Sequence, residues 1–245
     1  TLPADAPLLL LTPSGLELRH SPPGEKWNPI RVDFASGAWN RRLGQGGERL
    51  TRAVGVKGNH RPRVVDGSAG QGGDAFLLAA AGCPVRLIER SPAAAALLWD
   101  GLQRAARDPR LAPIVQRMTL QFGDAHRLLR PPPRENEDED EDEERPPEVI
   151  YLDPMFPDAA RGAPPRKEMR LLRALAGDDD DAPQLLRLAL SLARERVVVK
   201  RPRRAPPLPG PAPSHAMVGS SVRFDVYVIR SRETRAARED FSGTD

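Results

Sequence analysis

At 245 residues, with 39% hydrophobic and only 4% aromatic content, the chain can build one aliphatic core and a small appendage. One cysteine, Cys83, excludes an internal disulfide and a cysteine-based zinc site, and suits a reducing compartment. The formal net charge is +3, yet nine of the ten residues 135–144 are acidic, and without them the remainder stands at +12.

A body that basic favours a polyanionic partner such as nucleic acid, although a genome that favours arginine would give the same balance. The four histidines are scattered without metal-ligand spacing, so no metal is expected. No apolar stretch approaches a membrane span, and Leu8–Leu11 is too short for a signal-peptide core. A cytoplasmic protein is therefore expected.

In chain order, Leu8–Leu11 and Leu16–Leu18 read as a small hairpin across Thr12–Gly15, and Ile30–Phe34 as a further short strand. Arg41 and Arg42 open a basic, glycine-rich loop, and Glu48–Val54 reads as a short helix. From Arg63 strands and helices alternate. Strands are expected at 63–66, 85–89, 117–122, 148–152, 196–200 and 223–229, and helices at 73–81, 92–107, 124–129, 167–176 and 183–194. That alternation predicts a doubly wound, mostly parallel α/β sheet. The last strand follows its predecessor through the proline-rich stretch 202–213 with no clear helix between them, so an antiparallel insertion is open to it. The expected organisation is an N-terminal extension over 1–60, a main domain over 61–230 with an acidic disordered insertion at 135–147, and a flexible tail at 231–245.

The segment Val149–Pro157 carries the most chemistry. An apolar run ends on Asp153, then Pro154, Met155 and Phe156. This reads as a buried strand delivering an acid to its C-terminal end, where open α/β sheets bind ligands. Asp153 and the Pro154 carbonyl can accept hydrogen bonds from an exocyclic amine, and Phe156 can stack on the ring that carries it. Asp-Pro-x-aromatic is the signature of methyltransferases acting on nucleobase amino groups; a strand followed by a proline-rich turn is the plainer reading.

Upstream, Val64–Ala75 runs from a strand through Asp66, Gly67, Gly70, Gly72 and Gly73 into a helix. Small residues there let the backbone approach a ligand. The spacing Gly70-x-Gly72-x-x-Ala75 also fits a dinucleotide turn. Glu89 ends the second strand and can accept both ribose hydroxyls, which a nicotinamide or an S-adenosylmethionine site would equally need. Asp124 follows the third strand and either bonds an adenine amine or caps the next helix. Acids thus stand at the ends of four successive strands: Asp66, Glu89, Asp124 and Asp153. This arrangement resembles class I S-adenosylmethionine-dependent methyltransferases. A nicotinamide site leaves the Asp-Pro-Met-Phe motif unexplained.

The resemblance narrows further. Val32–Phe34, Arg52–Gly58, Val64–Phe76, Gly82–Arg90, Tyr151–Pro157, Arg166–Arg170, Arg196–Pro202 and Arg223–Tyr227 occur in this order. Together they are similar to the bacterial 16S ribosomal RNA guanine(1516)-N2-methyltransferase family. The resemblance implies a Rossmann-like class I fold with a seven-stranded, mostly parallel sheet and an antiparallel last strand. It also implies S-adenosylmethionine as donor, the N2 amine of a guanine in 16S rRNA or the 30S subunit as acceptor, and a bacterial cytoplasm. By the same resemblance Gly73, Asp74, Glu89, Arg90, Asp124, Ala125 and Asp153 fall where the family binds the cofactor. The chain departs from the family at Gly73, where an arginine is usual, and at Asp124–Ala125, where serines are usual.

Lys200, Arg201 and Arg203 follow the fifth strand and are expected to contact phosphate, with Arg41, Arg42, Arg166 and Lys167 as further candidates. Adenine N6 methylation, or a non-catalytic RNA-binding assembly factor on the same scaffold, are the competing readings.

Overall fold

The computed structural model describes residues 6–20, 24, 25, 27–36, 47–130, 146–155, 171, 175 and 180–229. Its elements run β1 (Leu8–Thr12), β2 (Gly15–Arg19), α1 (Gly47–Val54), β3 (Val64–Asp66), α2 (Gly73–Ala80), β4 (Val85–Glu89), α3 (Pro92–Ala105), α4 (Ala112–Val115), β5 (Met118–Phe122), α5 (Ala125–Leu128), β6 (Val149–Leu152), α6 (Ala182–Leu192), β7 (Arg196–Pro202), β8 (His215–Val218) and β9 (Val222–Val228).

β1 and β2 form a separate hairpin, and the other strands form one sheet in the order β5-β4-β3-β6-β7-β9-β8. The pairs from β5 through β7 are parallel, whereas β9 pairs antiparallel with both β7 and β8. The order reverses between β3 and β6, and ligands of such sheets bind beyond the strand ends at that point.

Alternation along each strand divides the core in two. Val149 and Tyr151 of β6 face one layer, with Leu87, Val198, Phe224 and Val226. Ile150 and Leu152 face the other, with Ile88, Val197, Val199 and Tyr227. Helices α1, α2 and α3 cover the first face through Leu50, Phe76, Leu78, Leu97 and Leu98. Helix α6 covers the second through Leu185, Leu186 and Ala189. Strands buried on both faces read as continuous apolar runs, which is why β6 and β7 were legible. Helix α3 starts where Pro92 follows Ser91, whose hydroxyl accepts from the Ala94 N–H.

The fold differs from the sequence expectation at three points. Ile30–Phe34 is not a strand: only Ile30 bridges, to Leu18. The Val32 carbonyl accepts from the Arg104 guanidinium instead of a neighbouring strand, and Asp33 turns the chain by accepting from the Ala35 N–H at 3.1 Å. The segment plugs the core instead, with Phe34 stacked on Phe76 at 4.7 Å between ring centroids. Second, β8 joins the sheet where no strand is expected, because it is an edge strand with mostly exposed side chains and no apolar alternation. Third, α4 is an additional helix, too short at four residues to show a helical period. Leu18, Ile30, Val32, Phe34 and Leu50 share one core with α2 and α3. Residues 135–145 of the expected acidic insertion, most of the helix expected at 167–176 and the expected tail from 231 onward lie outside the described residues.

Candidate active site

The glycine loop links β3 to α2 with each glycine under a different constraint. The Gly67 N–H donates to the Tyr151 carbonyl at 3.0 Å, and the Gly72 N–H to the Ala69 carbonyl at 2.8 Å. Gly72 stands at φ 72° at the head of α2. A Cβ there would lie 2.6 Å from the Leu98 side chain, so both conformation and packing demand glycine. Gly70 also has positive φ, but a Cβ on it would meet open space, because it faces a cleft.

That cleft is lined by Gly67, Ser68, Gly70, Ile88, Glu89, Arg90, Gly123, Asp124, Ala125, His126, Leu152, Asp153, Pro154, Met155, Asp181, Ala182 and Leu185. It holds about 680 Å³ of space, including its open mouth. Of the expected cofactor residues, Gly70, Glu89, Arg90, Asp124, Ala125 and Asp153 line it, while Asp66, Gly72, Gly73 and Asp74 do not.

On the β4–β5 side the acids are held by backbone donors. Buried Glu89 accepts from the Gly70 N–H and from the Ser91 N–H, both at 2.7 Å. It therefore pins the glycine loop while lining the cleft. Asp124 caps α5, accepting from the His126 N–H at 2.9 Å, and still lines the cleft. Capping and lining coexist, so the two readings of Asp124 were not exclusive. Arg90 pairs with Asp181 at 3.2 Å across the rim, and His126 Nε2 lies 3.3 Å from the same carboxylate. Away from the cleft, His60 Nε2 likewise lies 3.2 Å from a Glu195 carboxylate oxygen.

On the β6–β7 side the acids are held by a lysine. The Asp153 N–H donates to Ser68 Oγ at 2.6 Å. Its carboxylate Oδ2 accepts from Lys200 Nζ at 2.8 Å. The same ammonium donates to Asp74 Oδ2 at 2.6 Å, an atom that also accepts from the Tyr151 hydroxyl at 2.6 Å. Asp74 therefore meets Tyr151 and Lys200 from the first turn of α2 and does not itself line the cleft.

Beneath them Asp66 is 2% exposed. Burial pushes its carboxyl up to about 8; the Ser68 N–H opposes this, and Asp74, Asp153 and Glu89 reinforce it. Burial likewise holds the Tyr151 hydroxyl well above its ordinary range, helped by Asp74, Asp153 and Asp66. Burial alone would lower the Lys200 ammonium, but Asp153 and Asp74 outweigh it and raise it.

The basic residues after β7 sit differently from expectation. Lys200 is committed to two carboxylates, so it does not stand ready for phosphate. Arg201 is 5% exposed and donates through Nε to the Pro206 carbonyl at 3.0 Å. Burial, then the neighbouring Arg223, lowers its guanidinium to about 10. Arg223 in turn bonds Asp225 at 2.7 Å and the carbonyls of Arg203 and Ala205. These two arginines bind carbonyls of a loop whose prolines cannot donate. Arg203 alone of the three is exposed. Phe156, Arg41, Arg42, Arg166 and Lys167 lie outside the described residues.

A family model for SAM-dependent methyltransferases matches residues 3–229. The chain belongs to this family. A Pseudomonas fluorescens protein named Ribosomal RNA small subunit methyltransferase J is 51% identical over 216 residues, which cover 87% of this chain and 79% of that one. A protein of the same name from Thioalkalivibrio sulfidiphilus is 49% identical over 230 residues, 92% of this chain and 86% of that one. The crystal structure of a SAM-dependent methyltransferase from Neisseria gonorrhoeae matches with a TM-score of 0.70 at 35% identity, covering 94% of this chain and 86% of that chain. The Rossmann-like methyltransferase fold expected from the sequence holds.

The cleft of this methyltransferase fits S-adenosylmethionine. Ile88, Ala125, Leu152 and Leu185 offer apolar walls for a flat ring, Glu89 and Asp124 offer acceptors, and the excess of acids over Arg90 suits a cationic ligand. Sequence reasoning missed Ser68, Tyr151 and Asp181 as parts of the site. Only the Lys200 signal was available: an ammonium ending an apolar, double-faced strand needs a carboxylate partner.

Proposed function

We propose that this methyltransferase methylates the exocyclic N2 amine of a guanine in small-subunit ribosomal RNA, in a bacterial cytoplasm. The observation that carries this reading is the placement of Asp153 and Pro154. Both line the cleft at the C-terminal end of β6, in a chain about half identical to proteins named as small-subunit rRNA methyltransferases. The basic remainder of the chain supports an RNA partner.

When bound, S-adenosylmethionine supplies an activated methyl group, so the protein's part is orientation and electrostatics. Glu89, Asp124 and the Gly70 backbone would hold the donor. Asp153 and the Pro154 carbonyl would accept the N–H bonds of the amine. That acceptance aims a lone pair otherwise delocalised into the ring, and stabilises the positive charge that develops on nitrogen. Phe156, two residues beyond Pro154, would stack on the base, which must leave any stack to enter.

The test is transfer of labelled methyl from S-adenosylmethionine to undermodified 30S subunits and to naked 16S rRNA, followed by nuclease digestion and mass spectrometry. N2-methylguanosine at one site is expected, and the better substrate shows whether the assembled particle is required. Methylation at adenine N6 would overturn the base assignment. Cofactor binding without transfer to either RNA would favour an assembly factor.

A further inference from the structure

We propose that Lys200 is a positioning residue, whose ammonium, shared between Asp74 and Asp153, sets the rotation and charge of the carboxylate that receives the acceptor amine. This rests on the amine-clamp reading of Asp153 above.

The arrangement follows from register. Leu152 of β6 pairs with Val199 of β7, so the next residues, Asp153 and Lys200, emerge side by side from neighbouring parallel strands. Tyr151 and Val198, two residues earlier, face the core layer that α2 covers. Asp153 and Lys200 repeat that alternation, which turns them toward Asp74 on α2. Three elements thus converge on one ammonium, with bonds of 2.8 Å to Asp153 and 2.6 Å to Asp74. These are charge-assisted distances. The Lys200 and Asp74 side chains are 20% and 15% exposed, so the contacts are only partly screened by water.

Two constraints then act on Asp153 together. Ser68 Oγ holds its backbone N–H, and Lys200 holds one carboxylate oxygen. A functional carboxylate held at both main chain and side chain keeps one orientation through the reaction. Lys200 also settles charge. Asp66, Asp74 and Asp153 are close enough to act on one another, and Asp66 is the one driven toward its neutral form by burial. With Lys200 present, Asp74 and Asp153 can both stay ionised. Its removal would leave the two carboxylates with one fewer cation between them, which favours protonation, and a protonated Asp153 is a poorer acceptor for an amine. Because the two carboxylates keep Lys200 itself firmly protonated, it cannot take the amine proton. Its role is through Asp153.

This differs from a phosphate contact in what it predicts. Single-turnover transfer to 30S subunits, the KM for RNA across a salt series, and calorimetric binding of S-adenosylhomocysteine are measured for wild type, Lys200→Met, Lys200→Arg and Asp74→Asn/Lys200→Met. The double variant removes the facing charge and guards against misfolding of the single one. Lys200→Met is expected to lose rate on the order of 100-fold, the scale of a slightly misplaced catalytic group. Its RNA KM, salt slope and product affinity should change less than about threefold. Lys200→Arg should recover part of the rate, because a guanidinium can bridge two carboxylates. The double variant should fold and remain slow.

A raised RNA KM with intact rate, and a salt slope reduced by about one, would make Lys200 a phosphate contact and overturn the proposal. An unchanged rate in a folded Lys200 variant would overturn it as well. Failure of the wild type to methylate rRNA would instead defeat the functional reading, and the positioning role with it.

Discussion

The two sides of the cleft hold their acids by opposite means. On the β4–β5 side Glu89 is gripped by the N–H groups of Gly70 and Ser91, and Asp124 by the N–H of His126. On the β6–β7 side Asp153 and Asp74 are gripped by the Lys200 ammonium. Neutral donors fix a carboxylate while leaving its charge for the ligand, which suits hydroxyls and a cationic donor molecule. An ammonium cancels one of two nearby charges and allows both acids to stay ionised. On the proposed reading, the first device would hold a cofactor-binding group and the second would tune the group that receives the amine.

The widest separation between the sides should come from Asp153→Ala. Transfer in single turnover should fall by about 10²–10³-fold, the scale of losing one preorganised partner of a developing charge. Next is Glu89→Gln, which turns an amide N–H toward one of two backbone donors. Cofactor affinity, read by calorimetry, should weaken about 10–100-fold, while the rate at saturating cofactor holds within about threefold. A loss confined to rate would place Glu89 with the acceptor side.

Asp66 lies beneath both sides and sharpens the comparison through pH. Its carboxyl is raised from 3.8 to about 8 in the folded protein. The folded state therefore keeps a proton that the unfolded chain loses above about pH 4. Stability from this group is full below that point and is lost as pH rises toward 8. Across the window the slope approaches about 1.4 kcal/mol per pH unit. Asp66→Asn should flatten it, as measured by urea unfolding at several pH values; an unaltered slope would mean that Asp66 is ionised in the fold.

The smallest effect belongs outside both sides. Arg203→Ala should raise the RNA KM several-fold and reduce the salt slope by about one, with the rate unchanged.

The comparison also explains what could be read from sequence. Asp66, Glu89, Asp124 and Asp153 were legible because each ends an apolar run, and the glycine loop lies within a few residues of its strand. Glu89 and Asp124 find their donors locally or through that loop. The Lys200 partnership joins residues 47 apart, and Asp74 meets Lys200 across 126. The register of β6 on β7 sets the first pair and the packing of α2 on the sheet the second, and no local pattern encodes either. The burial of Arg201 is beyond local pattern for the same reason: it depends on where the 202–210 loop folds back. The strand expected at Ile30–Phe34 failed because alternating apolar residues also serve as plugs when a guanidinium, not a strand, satisfies the backbone.

The most direct test of this division of labour is the double variant Asp153→Ala/Glu89→Gln, compared with each single variant for S-adenosylhomocysteine affinity and single-turnover rate. The account predicts that its affinity equals that of Glu89→Gln and its saturated rate that of Asp153→Ala, each within about twofold. A double variant worse than both singles in either quantity would contradict it, because the two sides would then be acting on one step.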